Sequence, residues 1–296
     1  MTVNNSLPSR IFEKLKANQE RASANLKEKK IQIDDERATL SNWSESVRRV
    51  PNVALRSALF STSNRECSYL ERVEVNALGG IDMVYTGAQL DQCDLDVWEA
   101  VLHVAQMTDL GSECRITAYS LLKILGKTDA GNNRNNLESS ISRLKATALQ
   151  VRAGKYSYEG SLIQDVYREQ HGRNARTYVI RLNPKLRVLF VNDRYTDVDW
   201  RIRRSLQRKP LAQWLYGFYS SHARPFDLKV ETLHRLCGSH AKTMGDFKKD
   251  LRRALDAVAR VSNAAEKPFS YFLEGQLVKV KTTPSASQKR HLNKRV

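Results

Sequence analysis

Asp94-Leu95-Asp96-Val97-Trp98-Glu99-Ala100-Val101-Leu102-His103-Val104-Ala105 sets apolar residues at Leu95, Trp98, Val101, Leu102 and Ala105, the spacing of one helical face. Carboxylates crowd its first turn, where the helix dipole favours them. Outward from it, Cys114-Arg115-Ile116 reads as short and extended. Thr117 has the chemistry of an N-cap for a helix to about Leu125, and Gly126 stops that helix. A polar loop through Asp129-Ala130-Gly131 leads to a long helix over about 133–148. Residues 149–153, 156–167 and 176–182 then read as strands around Gly154 and the Gly172 turn. Helix, short strand, helix, turn, helix and β-hairpin is the order of a winged helix, a helix-turn-helix variant carrying a β-wing.

The same order recurs roughly 110 residues later. Pro210 suits a first helical position. Leu211, Trp214, Leu215, Phe218 and Tyr219 supply the stripe. Phe226-Asp227-Leu228 is short and extended, 230–236 is a second helix closed by Cys237-Gly238, and 244–261 is a long third one. Strands over 269–273 and 276–281 turn at Glu274-Gly275. The expected fold class is therefore α+β, with tandem winged-helix domains over 46–192 and 193–283. A charged arm over 1–45 and a basic tail over 284–296, both without fixed structure, flank them. The arm carries eight basic and six acidic residues between Arg10 and Arg37 and only one aromatic there, Phe12, too little to form a core.

The 296 residues carry 49 Lys and Arg against 32 Asp and Glu, a net charge of +17, which favours polyanionic partners, nucleic acid first. No apolar run reaches the 18 or so residues of a membrane span, and the first residues lack the pattern of a signal peptide. Cys67, Cys93, Cys114 and Cys237 are scattered, which fits a reducing cytoplasm rather than a disulfide framework. The charge is also segregated. Residues 201–260 hold 14 basic against 5 acidic side chains, and residues 71–100 hold 1 against 7.

In a helix-turn-helix the last helix buries one face and offers the other to DNA. On the second copy, Phe247, Leu251, Ala254, Leu255, Val258 and Val261 share one direction. Lys242, Lys249, Arg253 and Arg260 lie opposite, with Lys248 and Arg252 at the edge and Asp246, Asp250 and Asp256 diluting the charge. On the first copy Leu137, Ile141, Leu144 and Ala148 form the core stripe, and Asn132, Asn135, Ser139, Ser142, Arg143 and Ala146 face away. Asn reads adenine and Arg reads guanine by paired hydrogen bonds, and Ser serves either. Arg152 and Lys155 at one turn, and Arg173 and Arg176 at another, are expected on phosphates. So is the basic 201–209 segment, with Arg201, Arg203 and Arg204.

Other chemistries are incomplete. Gly126-Lys127-Thr128 resembles the end of a phosphate-binding loop, but position 121, where that motif needs glycine, is Leu. His234, Cys237 and His240 lack the second ligand pair of a structural zinc site. Asp91, Asp94 and Asp96 are explained by a helix start without a metal. The six histidines include no His-x-His pair of a nicking enzyme. No catalytic site, cofactor or metal is expected.

Val47-Arg48-Arg49-Val50-Pro51-Asn52 followed by Ala54-Leu55-Arg56-Ser57-Ala58-Leu59-Phe60 resembles the TrfA family of plasmid replication initiators. So do Tyr85-Thr86-Gly87, Arg143-Leu144-Lys145-Ala146-Thr147-Ala148, Phe218-Tyr219-Ser220-Ser221-His222-Ala223-Arg224-Pro225-Phe226 and Glu231-Thr232-Leu233-His234-Arg235-Leu236-Cys237-Gly238-Ser239. The resemblance covers about 44–281. It implies tandem winged helices, binding to direct repeats (iterons) at a plasmid origin, melting of AT-rich DNA, and work with host DnaA and the replicative helicase without ATP hydrolysis. It further implies self-association to dimers less active in initiation than monomers. Family members can carry a Gln-Leu-x-Leu-Phe-type peptide resembling sliding-clamp ligands. Here that stretch is Ala38-Thr39-Leu40-Ser41-Asn42-Trp43, with Thr for Gln and only Leu40 and Trp43 as apolar residues, which counts against a clamp contact. A plasmid transcriptional repressor of the same fold is the alternative.

Overall fold

The computed structural model describes residues 43–63, 68–108, 111–153, 156–171, 175–190 and 194–293. The charged arm, but for its last residues, and the 38–42 part of the clamp-like stretch lie outside them. The chain opens with β1 (Val47–Pro51), α1 (Asn52–Leu55), β2 (Phe60–Ser61), β3 (Tyr69–Glu74), β4 (Ile81–Ala88) and β5 (Leu90–Asp91). It continues with α2 (Gln92–Ala105), β6 (Glu113–Thr117), α3 (Ala118–Ile124), α4 (Gly131–Lys145), β7 (Ala148–Ala153), β8 (Tyr156–Gly160), β9 (Asp165–His171) and β10 (Ala175–Arg181). After a 3-10 turn at Pro184–Leu189 come β11 (Tyr195–Asp199), α5 (Trp200–Ser205), α6 (Pro210–Ser220), β12 (Leu228–Lys229) and α7 (Val230–Leu236). The chain ends with α8 (Met244–Ala264), β13 (Phe269–Glu274), β14 (Leu277–Thr282) and α9 (Ala286–Asn293).

Two three-stranded sheets share one plan. In the first the order is β6-β10-β9, and in the second β12-β14-β13. Each places the short strand that follows the first helix beside the second strand of the hairpin. The second helices end alike as well. Gly126, at φ +67°, donates to Lys123 O, and Lys127 N donates to Leu122 O. Gly238, at φ +61°, donates to Arg235 O, and Ser239 N donates to His234 O. Both are Schellman closures, in which glycine takes the left-handed position that a Cβ disfavours. That closure, not a nucleotide, accounts for Gly126-Lys127.

Residues 156–167 are two strands rather than one. Leu162 and Ile163 are both buried in the non-strand segment between them. Leu162 N donates to Thr147 Oγ1 and Leu162 O accepts from Trp98 Nε1, so the chain breaks there. β7 and β8 then join β3 and β4 in a four-stranded sheet, ordered β3-β4-β7-β8. α4 also stops before Ala148. Thr147 turns its hydroxyl back to Leu144 O, and Ala148, placed in the helical stripe by periodicity, opens β7.

α2 is the central element. Asp91 caps it, accepting from Cys93 N at 2.7 Å and Asp94 N at 3.0 Å, while Asp94 reciprocates on Asp91 N. It is buried almost all round, which marks an interior helix. The described segments on either side of the expected 192/193 boundary pack together. β11 pairs antiparallel with β1, and one apolar cluster spans Trp43 to Val280. Trp43 itself is buried, its backbone N–H bonded to Gln106 Oε1 at 2.8 Å. Within 284–296, expected as a tail without structure, Ala286–Asn293 is helical. Ser285 and Gln288 form a capping box, and Gln288 Nε2 donates to Ser220 O at 2.9 Å.

Three carboxylates of α2 face inward. Arg203, on α5 and fully buried, donates from Nε to Asp96 Oδ1 at 2.7 Å and lies 3.3 Å from Glu99. Its Nη2 reaches Gln92, and Gln213 on α6 donates to Asp96 at 3.1 Å. Glu99 makes no hydrogen bond among the described residues, and burial pushes its carboxyl up from 4.5 to about 7 against the pull of Arg203. The folded chain therefore holds this proton over a range where the unfolded chain has released it. The associated stability is full below pH 4.5 and lost as pH rises through about 7. Glu99→Gln should remove that dependence: wild-type stability relative to the variant, from urea midpoints, should fall across this window and stay level above it.

Candidate nucleic-acid interface

α4 and α8 bury the stripes periodicity assigns them. Leu137, Ile141 and Leu144 are interior on α4, and Phe247, Leu251, Ala254, Leu255 and Val258 on α8, whereas Val261 is half-buried. Thr243 caps α8 by accepting from Asp246 N at 3.1 Å. The opposite faces carry the candidates, and the structure sorts these into three groups.

Asn132, Asn135 and Ser139 are exposed on α4. Lys242, Lys249, Arg252, Arg253 and Arg260 are exposed on or just before α8. Arg253 pairs with Asp250 at 2.8 Å, and Lys249 lies 3.8 Å from Asp246, both pairs in solvent and therefore weak. Lys248 is half-buried and donates to Gly275 O at the turn of the β13–β14 hairpin. A cleft of about 630 Å³ between α6 and α8 is lined by Arg208, Lys209, Arg253 and Arg260, with Asp250 and Asp256. Arg201 is exposed beside Asp199.

A second group is engaged inward. Arg203 is buried on Asp96 and Glu99, so it is an interior cation and not a phosphate contact. The sequence shows it only as one of several arginines in a basic run. Arg143 is turned away from its expected base-reading role. Its Nη2 and Nε donate to Asp94 at 2.6 and 3.0 Å, and Asp94 is fully buried. Burial raises the Asp94 carboxyl while the Arg143 hydrogen bonds draw it back down. The carboxylates of 91–96 are thus a cap and two ion-pair partners, more than dipole complements. Arg204 lies over Gly126, where a Cβ would overlap its guanidinium.

A third group belongs to the hairpins. Arg152 sits on β7, in the four-stranded sheet, and not beside the β9–β10 hairpin. Lys155 and Arg173 lie outside the described residues. Arg176 on β10 donates from Nη1 to Glu138 on α4 at 2.9 Å. Sequence reasoning passed over Arg168 on β9, which donates to Glu138 at 2.5 Å and to Ser142 Oγ at 3.1 Å. Only the hairpin register, which places Arg168 directly across from Tyr178, identifies it.

The other polar motifs have separate tasks. His234 packs edge-on against Phe247 at 4.8 Å, Cys237 is buried, and His240 Nδ1 is 3.1 Å from Ser63 Oγ. No group of three His, Cys, Asp or Glu is placed to hold a metal among the described residues. No helix among them is long and apolar enough to cross a membrane.

A family model described as TrfA protein matches residues 10–280. Plasmid replication initiator protein TrfA of Escherichia coli is 29% identical over 243 residues, covering 79% of this chain and 63% of that protein. The chain therefore spans just under two thirds of that relative's length. Two crystal structures of domains 2 and 3 of RctB share the fold. One superposes with a TM-score of 0.56 over 77% of this chain and 95% of the other, at 14% identity. The second gives 0.52 over 79% and 97%, also at 14% identity.

Arg143→Ala leaves the Asp94 carboxylate buried without its guanidinium. Unfolding free energy should fall by about 3 kcal/mol, measured by urea denaturation. Arg143→Lys, a single-point donor, should restore only part of it.

Proposed function

The chain belongs to the TrfA family, and from that membership we propose that it is a plasmid replication initiator that binds direct repeats at its origin. The observation that carries the reading is the repeated plan: helix, short strand, Schellman-closed helix, long helix and hairpin, with both long helices turning polar faces outward. We read each copy as a winged helix, over 46–192 and 193–283, with β7 and β8 inserted between the third helix and the wing of the first.

On this reading α4 and α8 occupy successive major grooves. Asn132, Asn135 and Ser139 face bases, because short amide and hydroxyl side chains reach base edges without adding charge. Lys242, Lys249, Arg252, Arg253 and Arg260, with Arg201, Arg208 and Lys209, hold phosphates and fix register. Binding of several adjacent repeats strains the duplex, and AT-rich DNA, the easiest to unstack, opens first. Host DnaA and the replicative helicase then take over the melted segment, as the family resemblance implies. The protein hydrolyses nothing in this scheme, and its binding free energy drives the opening. Self-association into dimers would compete with that activity.

Footprinting on the origin at 50 and 200 mM salt tests the proposal. Evenly spaced protection surviving the higher salt is expected, and diffuse protection that vanishes there would overturn it. Lys249→Ala with Arg252→Ala should weaken binding to all sequences and lower the slope of log affinity against log salt by about one per lost phosphate contact. Asn135→Ala should instead relax preference at one base position.

A further inference from the structure

Glu138 is out of place. It is an acid at the middle of α4, on the helix proposed to enter a major groove, where a free carboxylate would repel phosphates. It is not free. Arg168 Nε donates to Oε1 at 2.5 Å, and Arg176 Nη1 and the Tyr178 hydroxyl donate to Oε2 at 2.9 and 2.8 Å.

All three donors lie on one face of the β9–β10 hairpin. Register places Arg168 opposite Tyr178 and Gln170 opposite Arg176, and residues two apart on a strand share a face. Arg176 Nε also donates to Gln170 at 3.2 Å, and Arg168 Nη2 donates to Ser142 on α4. Tyr178 is buried, so the cluster has an immobile base. A cleft of about 150 Å³ beside it is lined by Asn135, Gln170, Arg176 and Tyr178, which sets the base-facing Asn135 against the hairpin. The second copy has a simpler version: Tyr271 on β13 donates to Asp256 on α8 at 2.5 Å, and Lys248 reaches the hairpin turn.

We propose that Glu138 is a positioning residue: it locks the β9–β10 hairpin to α4, so that the hairpin's phosphate contacts and the helix's base contacts engage a repeat in one register. The inference rests on the DNA-binding reading above. Charge-assisted hydrogen bonds to a carboxylate are short and directional, and two guanidinium groups on one acceptor fix an angle that a single contact leaves open. Neutralising the carboxylate also keeps it from opposing DNA.

The test separates charge from position. The full chain, with Glu138→Gln and Glu138→Asp variants, is titrated onto a duplex of one origin repeat and onto a scrambled duplex of equal length. Circular dichroism checks that each variant is folded. Glu138→Gln removes a negative charge, so affinity for the scrambled duplex should rise. Affinity for the repeat should nevertheless fall about tenfold, the size of one charge-assisted hydrogen bond. Glu138→Asp keeps the charge but is too short to hold both arginines. Scrambled affinity should stay level while repeat affinity falls. Tyr178→Phe, which keeps the ring and both ion pairs, should give a smaller loss of the same kind.

Repeat and scrambled affinities moving together in both Glu138 variants would overturn the proposal and leave Glu138 a structural or purely electrostatic group. A wild-type chain without preference for the repeat would instead overturn the initiator reading, and this inference with it.

Discussion

A guanidinium in the interior governs how the two halves meet. Arg203 enters from α5 into a site where isolated charge is expensive, and it is tolerated because α2 offers Asp96 and Glu99 and because Gln92 and Gln213 complete the polar set. Such a cluster adds little net stability over an apolar one of equal volume. Its effect is geometric. Hydrogen bonds at 2.7 and 3.1 Å onto one carboxylate admit a single seating of α5 and α6 on α2, where apolar side chains would tolerate several. Arg48, buried over the Trp200 ring at 4.6 Å, extends the same arrangement to β1. The β1–β11 pairing closes it at the surface through Arg49 and Asp197.

This arrangement explains the segregation of charge along the chain. Asp94, Asp96 and Glu99 are interior partners of arginines that arrive from 143 and 203. The surface that remains is dominated by cations, and the exposed face of α8 with the cleft beside it is where they gather. Some of the chain's arginines are thus turned inward, where they seat α4 and α5 on α2.

The copies differ in how they treat their third helix. α8 is long and cationic, and it is tied to its hairpin by the Tyr271–Asp256 bond, by Lys248 at the turn and by two hydrogen bonds between Asn263 and the Phe269 backbone. α4 is amide-rich and clamped by three donors, Arg168, Arg176 and Tyr178, on Glu138. The inserted β7–β8 pair widens the first copy without disturbing its sheet, because it pairs with β3–β4 and leaves β6-β10-β9 intact.

The sequence alone determined α2, α3, α6 and α7 beside the two long helices, the N-cap at Thr117, the glycine closures at 126 and 238, and most of the buried stripes, because these depend on neighbours within a turn or two. It also set the net charge, which favours a polyanionic partner and which no folding can change. Only tertiary structure decided which arginines stay exposed and which are drawn inward. Arg143, Arg203 and Arg201 look alike along the chain. Their roles split because buried carboxylates 49 and 107 residues away claim the first two and leave the third to solvent. The division of 156–167 into two sheets, and the meeting of Glu138 with Arg168, likewise depend on register between distant segments. Local pattern sets which residues can pair, but only the packed chain sets which do, since a buried charge must find its partner wherever the fold brings one.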